Sequence, residues 1–186
     1  DQQEDTLFYY WDFGDCTPIT DTIWVNPNSI QTTSWINADT FPDIFHSYDE
    51  AGIYEVILTA ESYCGSSSDT LNITVSPPPN AYFFTDKDNY CLGETTLFYD
   101  STWANDSTFR LQICNPGTPP DTIQIPSGGQ PISWYWHFGD PDAGADSISF
   151  DQFPQHTFSK CGTFYITLEV TDENGCRKTY NDSIVI

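Results

Sequence analysis

Residues 7–15 read LFYYWDFGD, and residues 132–140 read ISWYWHFGD. Apolar side chains stand at every second position of both stretches. This period of two is typical of a strand that buries one face. Gly-Asp ends each stretch with residues that favour a turn. The chain therefore contains the same kind of strand twice, at an offset of 125 residues (132 minus 7).

A second matched block follows each of these strands. The sequence HSY at 46–48 precedes GIYEVILTA at 52–60, and HTF at 156–158 precedes GTFYITLEV at 162–170. Both long strands alternate apolar and polar residues and run into a turn, with an Asn-Gly signal at 174–175. No useful helical periodicity interrupts this pattern. The sequence thus predicts an all-β protein made of two similar modules.

The boundary between the modules is predicted at the sequence SPPPN, residues 76–80. Three consecutive prolines cannot join a strand ladder and favour a stiff, extended link. We therefore assign residues 1–76 to module 1, 77–80 to a linker and 81–186 to module 2. Two insertions, 17–43 and 104–130, are interpreted as loops.

The modules differ at their beginnings. Module 2 opens with two further predicted strands, at 81–84 and 91–100, and module 1 has no counterpart before Leu7. A sandwich without two strands exposes a sheet edge and half of its core. Either the strands lie upstream in a longer parent chain, which is the simpler explanation, or a neighbouring chain supplies them.

Composition excludes several classes of partner. The 186 residues include 27 acidic and 5 basic side chains, for a net charge of -22. Nucleic acids and anionic membrane surfaces are therefore poor partners, because both bind through Lys and Arg. No segment has the length of a membrane span or the pattern of a signal peptide. Six cysteines without a Cys-x-x-Cys pattern argue against zinc and indicate disulfides in an oxidising compartment.

The repeated residues resemble the polycystic-kidney-disease (PKD) domain. That family is characterised by W-x-F-G-D, then His-x-Tyr, then Gly-x-Tyr-x-Val-x-Leu, and both modules fit, although His137 stands where module 1 has Asp12. The resemblance implies two immunoglobulin-like β-sandwiches in tandem, the first lacking its N-terminal strands. It also implies roles in spacing, adhesion or ligand presentation on extracellular proteins.

Disulfide pairing is predicted from the sandwich topology that the resemblance implies. The first strand starts at the same end as the last hairpin, which suggests a Cys91–Cys176 bridge. Cys16 and Cys114 are expected to face each other and to join the two modules. Cys161 lies at the far end, where it is available to a following module. Other pairings, or free thiols, remain open.

No catalytic motif occurs, so we expect no enzyme and no cofactor, with calcium as the one exception considered. Asp142 and Asp146 belong to a loop with three carboxylates in seven residues, a spacing that suits one hard cation. The aspartates of W-x-F-G-D, Asp15 and Asp140, are also considered as calcium ligands, but we interpret them as residues that shape turns by accepting backbone hydrogen bonds.

A short pattern, Asp-Thr/Ser-aliphatic, recurs six times and resembles the O-glycan acceptor sequence of certain bacteria. The predicted glycosylation sites are Thr6, Thr22, Thr70, Thr122, Ser147 and Ser183.

The sequence as a whole favours a non-catalytic, adhesive repeat region of a bacterial cell-surface fibre. Its expected partners are neighbouring repeat modules or copies of itself, together with a surface glycan or protein ligand. The alternative is a carbohydrate- or protein-binding accessory region of a secreted hydrolase, in which loop tryptophans such as Trp24 and Trp35 bind the ligand.

Overall fold

A computed structural model describes residues 7–16, 23–25, 45–114 and 119–186. They form antiparallel strands and almost no helix, which confirms the predicted all-β class. In chain order the strands are β1 (Leu7–Asp12), β2 (Ile23–Val25), β3 (Gly52–Ser62), β4 (Gly65–Val75), β5 (Phe83–Thr85), β6 (Thr95–Asp100), β7 (Thr108–Gln112), β8 (Asp121–Ile125), β9 (Pro131–His137), β10 (Ile148–Ser149), β11 (Gln155–Thr157), β12 (Thr163–Asp172) and β13 (Arg177–Val185). A 3-10 segment, Pro141–Ser147, lies between β9 and β10. No helix in this described part of the chain is long and apolar enough to cross a membrane.

The chain divides into two compact units. The first comprises Asp1–Val75 and Phe109–Ile125, and the second comprises Ser76–Thr108 and Pro126–Ile186. This division differs from the predicted domains in two respects. The prolines of the predicted linker belong to the second unit, where Pro77 and Pro79 are buried. Residues 109–125, predicted as a loop of module 2, belong to the first unit and contribute β7 and β8 to it.

The first unit is built on a four-stranded antiparallel sheet in the order β2-β1-β3-β4. Strands β3 and β4 pair along their whole lengths, from Gly52 opposite Val75 to Ser62 opposite Gly65. Trp11 of β1 lies opposite Leu58 of β3, so their side chains share one face of the sheet. Among the described residues this unit has no counterpart of β5 and β6. The β7–β8 pair is its other regular element.

The second unit is a two-layer sandwich. One sheet has the order β10-β9-β12-β13, and the other has the order β11-β6-β5. Strand β12 lies at the centre of its sheet, with Leu168 opposite both Trp136 of β9 and Tyr180 of β13. Buried and more exposed side chains alternate along β12 and β6, as the sequence pattern requires. The predicted immunoglobulin-like sandwich is therefore confirmed.

Aromatic side chains fill the core of the second unit. Trp136 and Leu168 are fully buried, and the rings of Phe83 and Phe98 from the opposite sheet lie 5.1 and 5.6 Å from that of Trp136. The indole N–H of Trp136 donates to the carbonyl of Asp151 at 2.9 Å, so its one polar group is satisfied. This layer of aromatic rings packs the two sheets of the second unit against each other.

Candidate functional site

The carboxylate of Asp140 is fully buried directly after the repeated aromatic strand of the second unit. Its Oδ2 accepts the backbone N–H of Ser159 at 2.8 Å, and its Oδ1 accepts the Ser159 hydroxyl at 2.5 Å. The Nε2 atom of His156 lies 3.2 Å from Oδ2. A buried carboxylate is costly without such partners, and here both oxygens are satisfied.

Aromatic rings enclose the histidine of this cluster. The ring of Phe138 stacks on His156 at 4.5 Å with an interplanar angle of 11°, and Phe158 contacts it edge-on at 4.6 Å. His156 itself is 4% exposed. We call Phe138, Asp140, His156 and Phe158 the second His–Asp cluster.

The first unit contains the same arrangement. His46 Nε2 lies 2.7 Å from Asp15 Oδ2, and the ring of Phe13 stacks on His46 at 3.9 Å with an angle of 4°. Tyr48 contacts His46 edge-on at 4.6 Å and donates its hydroxyl to the carbonyl of Phe13 at 3.1 Å. Phe13, Asp15, His46 and Tyr48 form the first His–Asp cluster. The repeated sequence motifs therefore specify one contact pattern, made twice.

A glycine between the aromatic residue and the aspartate is required in both clusters. Gly139 has a φ of +65° and Gly14 a φ of +72°, a region that favours glycine. A Cβ at Gly139 would lie 2.5 Å from the carbonyl oxygen of Tyr165, and one at Gly14 would lie 2.6 Å from that of Glu55. The turn thus passes against the neighbouring long strand, and this close approach brings the aspartate to its histidine.

The pKa and the hydrogen bonds of the Asp140 carboxylate are typical of an aspartate that stabilises a fold. Burial alone would raise the pKa of its carboxyl, but the hydrogen bonds from Ser159 and His156 outweigh burial and hold the pKa below its ordinary value. An aspartate with this pKa is ionised at neutral pH. Its lone pairs point at donors inside the protein, so the group is not available to a substrate.

Beside the second cluster, a groove of about 440 Å³ opens between the edges of the two sheets. Its lining includes Asp146, Ser149 and the edge of His156. Asp142, the other predicted calcium ligand, is exposed and paired with Lys160 at 2.6 Å. The described residues contain no convergent group of three or more His, Cys, Asp or Glu side chains. Calcium binding by Asp142 and Asp146 stays a prediction that this geometry does not support.

The sequence matches the PKD domain family twice, over residues 1–75 and 119–186. The chain belongs to the PKD-domain family. Similar solved structures are the PKD1 domain of Vibrio anguillarum Epp (18% identity, TM-score 0.39, 60% of this chain and 96% of that chain covered) and the PKD1 domain of the Vibrio cholerae metalloprotease PrtV (20%, 0.38, 59% and 98%). An amphioxus IgVJ-C2 molecule is also similar (11%, 0.35, 100% and 92%). No curated protein matches significantly.

Among the described residues of this PKD protein, a disulfide joins Cys16 to Cys114, with an S–S distance of 2.05 Å. The pairing is the predicted one, but its consequence differs. Cys114 follows β7 and belongs to the first unit, so the bond lies within that unit. Gln112 supports the same contact, because its side-chain N–H donates to the carbonyl of Gly14 at 3.1 Å. The disulfide thus fixes the β7 segment to the turn that ends β1.

The predicted Cys91–Cys176 disulfide is wrong, since both thiols are free. Cys176 follows the β12–β13 turn, and its Sγ lies 3.7 Å from the carbonyl of Ser76. Cys91 lies in the connection between β5 and β6, whose residues 87–89 line a groove with Val185 at the other end of β13. The first strand of the second unit, β5, does start at the end that carries the β12–β13 turn. Cys91, however, follows β5 and therefore lies at the other end of the sandwich.

Three of the predicted glycosylation sites are exposed on strands, namely Thr70 on β4, Thr122 on β8 and Ser183 on β13. In two of them the preceding aspartate accepts the N–H of the acceptor residue, at 3.0 Å for Thr70 and 2.7 Å for Ser183. Ser147 is half-buried at the end of the 3-10 segment. Thr6 and Thr22 lie outside the described residues.

Sequence reasoning missed the polar contacts of β7. Its Arg110 forms an ion pair with Glu50 and donates to the hydroxyl of Tyr54 at 2.6 Å, while Phe109 and Leu111 on the other face are 67% and 69% exposed. The alternation FRLQI at 109–113 is a strand signal inside the predicted loop insertion. It gives no indication that the polar face, rather than the apolar face, contacts the PKD sheet.

Proposed function

We propose that this chain is a structural, adhesive repeat region of an extracellular bacterial surface fibre. One observation carries the proposal: both units use their histidine and aspartate to fix strands rather than to present reactive groups. Both oxygens of Asp140 are satisfied by Ser159 and His156, and Asp15 faces His46 in the same way. A rigid, repeated module suits a spacer better than a catalyst.

Mechanical resistance follows from the strand ladders of the second unit. Strand β13 pairs with β12 from Thr163 opposite Val185 to Thr171 opposite Arg177, without a register shift. A load along β13 must break these hydrogen bonds together and also expose the buried Ile184. The long β3–β4 ladder has the same property in the first unit. Such ladders allow a fibre to carry tension without losing its fold.

The surface chemistry fits an extracellular location. The net charge of -22 keeps neighbouring fibres apart, and the exposed acceptors Thr70, Thr122 and Ser183 are accessible to a glycosyltransferase. We expect native protein to carry O-linked sugar at these positions. Intact-mass and peptide mass spectrometry of protein from its natural source checks this, and unmodified peptides at all three sites would contradict it.

Pulling the whole chain from its two ends in a force spectrometer tests the mechanical role. We expect a discrete unfolding event from the second unit, because its packed aromatic core unfolds cooperatively. Residues 17–113 lie inside the Cys16–Cys114 loop and extend only after reduction, so a reductant must lengthen the total extension. The Cys16→Ser variant serves as the control and must show the longer extension without reductant. A smooth extension with no force peaks would overturn the proposal.

A second candidate is a carbohydrate-binding accessory role, favoured by exposed aromatic rings. Trp103 is 55% exposed, and Phe150 is 69% exposed with its ring 5.5 Å from that of Tyr135. Such rings can stack on sugars. Co-sedimentation with insoluble polysaccharides distinguishes the two roles. Binding that is lost in Trp103→Ala or Phe150→Ala but kept in Tyr165→Ala, another exposed aromatic, would favour this candidate.

A further inference from the structure

Within the described part of the chain, each unit has one long strand at the edge of a sheet. Strand β4, with 11 residues, is the last strand of the sheet β2-β1-β3-β4, and β13, with 9 residues, is the last strand of the sheet β10-β9-β12-β13. We call β4 and β13 the long edges. The other described edge strands have five residues or fewer. A long edge presents a row of backbone N–H and C=O groups to which another strand can pair.

The hydrogen-bond pattern shows which amides of β13 point to its open side. Gly162 and Ile186 exchange both backbone hydrogen bonds, at 3.0 and 3.1 Å. In an antiparallel ladder such pairs alternate with pairs whose backbone groups point away from each other. Counting back from Ile186, Ser183 belongs to the second kind, opposite Tyr165. The N–H of Ser183 therefore points away from β12, toward the open side.

Thr70 of β4 has the same orientation. Ser62 and Gly65 close a two-residue turn, and such a turn is closed by a hydrogen bond from the N–H of its last residue to the C=O of its first. Alternation from this pair places Thr70, opposite Ile57, among the residues whose N–H points away from β3.

An aspartate occupies the outward N–H at both positions. The Oδ1 atom of Asp182 accepts the N–H of Ser183 at 2.7 Å, and the Oδ1 atom of Asp69 accepts the N–H of Thr70 at 3.0 Å. A donor that is held by a carboxylate is not free to pair with an incoming strand. Each long edge is therefore interrupted along its row of backbone donors.

The same two carboxylates place charge on the inner face of each edge strand. Asp182 lies opposite Ile166, which belongs to the core of the second unit, and Asp69 lies opposite Leu58. Residues opposite each other in a ladder share one face of the sheet. A further strand beside β13 would continue the inner layer and cover Asp182, and burial of an unpaired carboxylate is costly. Inward-pointing charges are one means by which natural sheets protect their edges.

The open side of β13 has features that would otherwise favour an added strand. A groove of about 390 Å³ runs between β13 and β5, and its lining includes the core side chains Phe98, Ile166 and Ile184. An extended strand placed there would gain both apolar contacts and backbone hydrogen bonds. Asp182 also belongs to this lining, so its charge lies where the added strand would pack.

We propose that the long edges are strand-pairing surfaces that fit the extended edge strand of a second copy, and that Asp69 and Asp182 keep them closed. Because one chain carries both long edges, copies without this protection would add to one another repeatedly. The proposal extends the structural role proposed above, since fibres lie side by side at high local concentration. It holds whether or not Thr70 and Ser183 carry sugar.

The test replaces both aspartates in the full chain and follows sedimentation velocity over a range of concentrations. Asp69→Ala/Asp182→Ala should shift to faster sedimentation as its concentration rises, whereas the natural protein should stay monomeric. Asp69→Lys/Asp182→Lys lowers the net negative charge further but restores a charge on each edge, so it should stay monomeric. Asp106→Ala/Asp121→Ala removes two exposed carboxylates outside the long edges and should stay monomeric as well.

Amide hydrogen exchange identifies the surface that associates. The amide of Ser183 should exchange about tenfold faster in the monomeric Asp69→Lys/Asp182→Lys variant than in the natural protein, because it has lost its acceptor. In the associated Asp69→Ala/Asp182→Ala variant, the outward amides of Asn72 and Asn181 should become protected, since they pair with a strand of another copy.

Three results would overturn the proposal: an alanine variant of Asp69 and Asp182 that stays monomeric; association of the lysine or the Asp106→Ala/Asp121→Ala variant, which would show a general effect of lost charge; or association without protection of Asn72 and Asn181. Circular dichroism confirms that each variant is folded. None of these results affects force peaks measured on a single chain, so failure of the edge protection is distinguishable from failure of the proposed mechanical role.

Discussion

The two units place the same strands in different surroundings. In the second unit, Trp136 is fully buried beneath Phe83 and Phe98 of the opposite sheet. Its counterpart in the first unit, Trp11, pairs with Leu58 as Trp136 pairs with Leu168, but it is only half-buried. The register of the repeated sheet is thus independent of the layer that covers it.

The His–Asp clusters show the opposite behaviour, because they are alike in both units. Phe13 stacks on His46 as Phe138 stacks on His156, and each histidine faces its aspartate. The contacts within a cluster come from one sheet end and the His-x-aromatic segment. In the second unit that segment includes β11 of the opposite sheet, whereas in the first unit residues 46–48 are not assigned to a strand. The cluster contacts are therefore the same although the strand pairing around the histidine differs.

Replacing Trp136 or Trp11 by alanine is expected to give the largest change in unfolding free energy and the clearest difference between the two units. Trp136→Ala should lower the free energy of unfolding of the second unit by about 3–5 kcal/mol, since it leaves a cavity in a packed core. Trp11→Ala should cost the first unit about 1–2 kcal/mol, because a half-buried ring loses less on exposure. Denaturant titration followed by amide hydrogen exchange in β12 and β3 assigns each loss to its unit.

Tyr165→Ala is the control for the tryptophan pair, because Tyr165 is 73% exposed on β12, and it should change stability by less than about 0.5 kcal/mol. Equal losses for the two tryptophans would mean that the first sheet is covered as completely as the second. The comparison between the units would then fail.

A smaller and equal effect is expected from the two motif glycines. Gly139→Ala and Gly14→Ala should each cost about 2–4 kcal/mol, from a left-handed φ and from overlap with a backbone carbonyl. Gly175→Ala separates the two causes, because its φ is +81° but no atom lies within 4 Å of the added Cβ. That control should cost only about 1–2 kcal/mol. Thermal unfolding measures all three, and a loss confined to Gly139→Ala would show that the first cluster is not equivalent.

The smallest effect concerns pH. The pKa of Asp140 is lowered in the folded protein, so its carboxylate stabilises the fold above the ordinary carboxyl pKa of about 4. This contribution disappears as the pH falls through the lowered value. Asp140→Asn should therefore cost about 2 kcal/mol at pH 7, and the difference from the natural protein should narrow below about pH 4.

Denaturant titrations between about pH 7 and pH 3 provide the check on Asp140. Asp142→Asn serves as the control, because that carboxylate is exposed and paired only with Lys160, and it should have little effect on stability at neutral pH. If the stability difference between the natural protein and the Asp140→Asn variant stays constant over the whole acid range, the carboxylate is not favoured by the folded state.

Local pattern was sufficient for much of the fold. The alternation in residues 7–13 and 132–138 predicts the strands, and the Asn-Gly at 174–175 predicts the last hairpin, where Gly175 has a φ of +81°. The assignment of residues 104–130 to a loop was less successful. Strand β7 contacts the first unit through its polar residues Arg110 and Gln112, and its apolar residues are exposed. Because periodicity assumes that the apolar face is buried, it did not predict where this strand packs.

Sequence alone determined the two PKD repeats, the strand faces and the glycine turns, because these depend on neighbouring residues and on backbone geometry. Only the tertiary structure decided which layer covers the sheet of the second unit, that residues 109–125 belong to the first unit, and that Cys91 and Cys176 are not bonded to each other. Those outcomes depend on contacts between residues remote in sequence. A one-dimensional pattern shows that a side chain needs a partner, but it does not identify the partner.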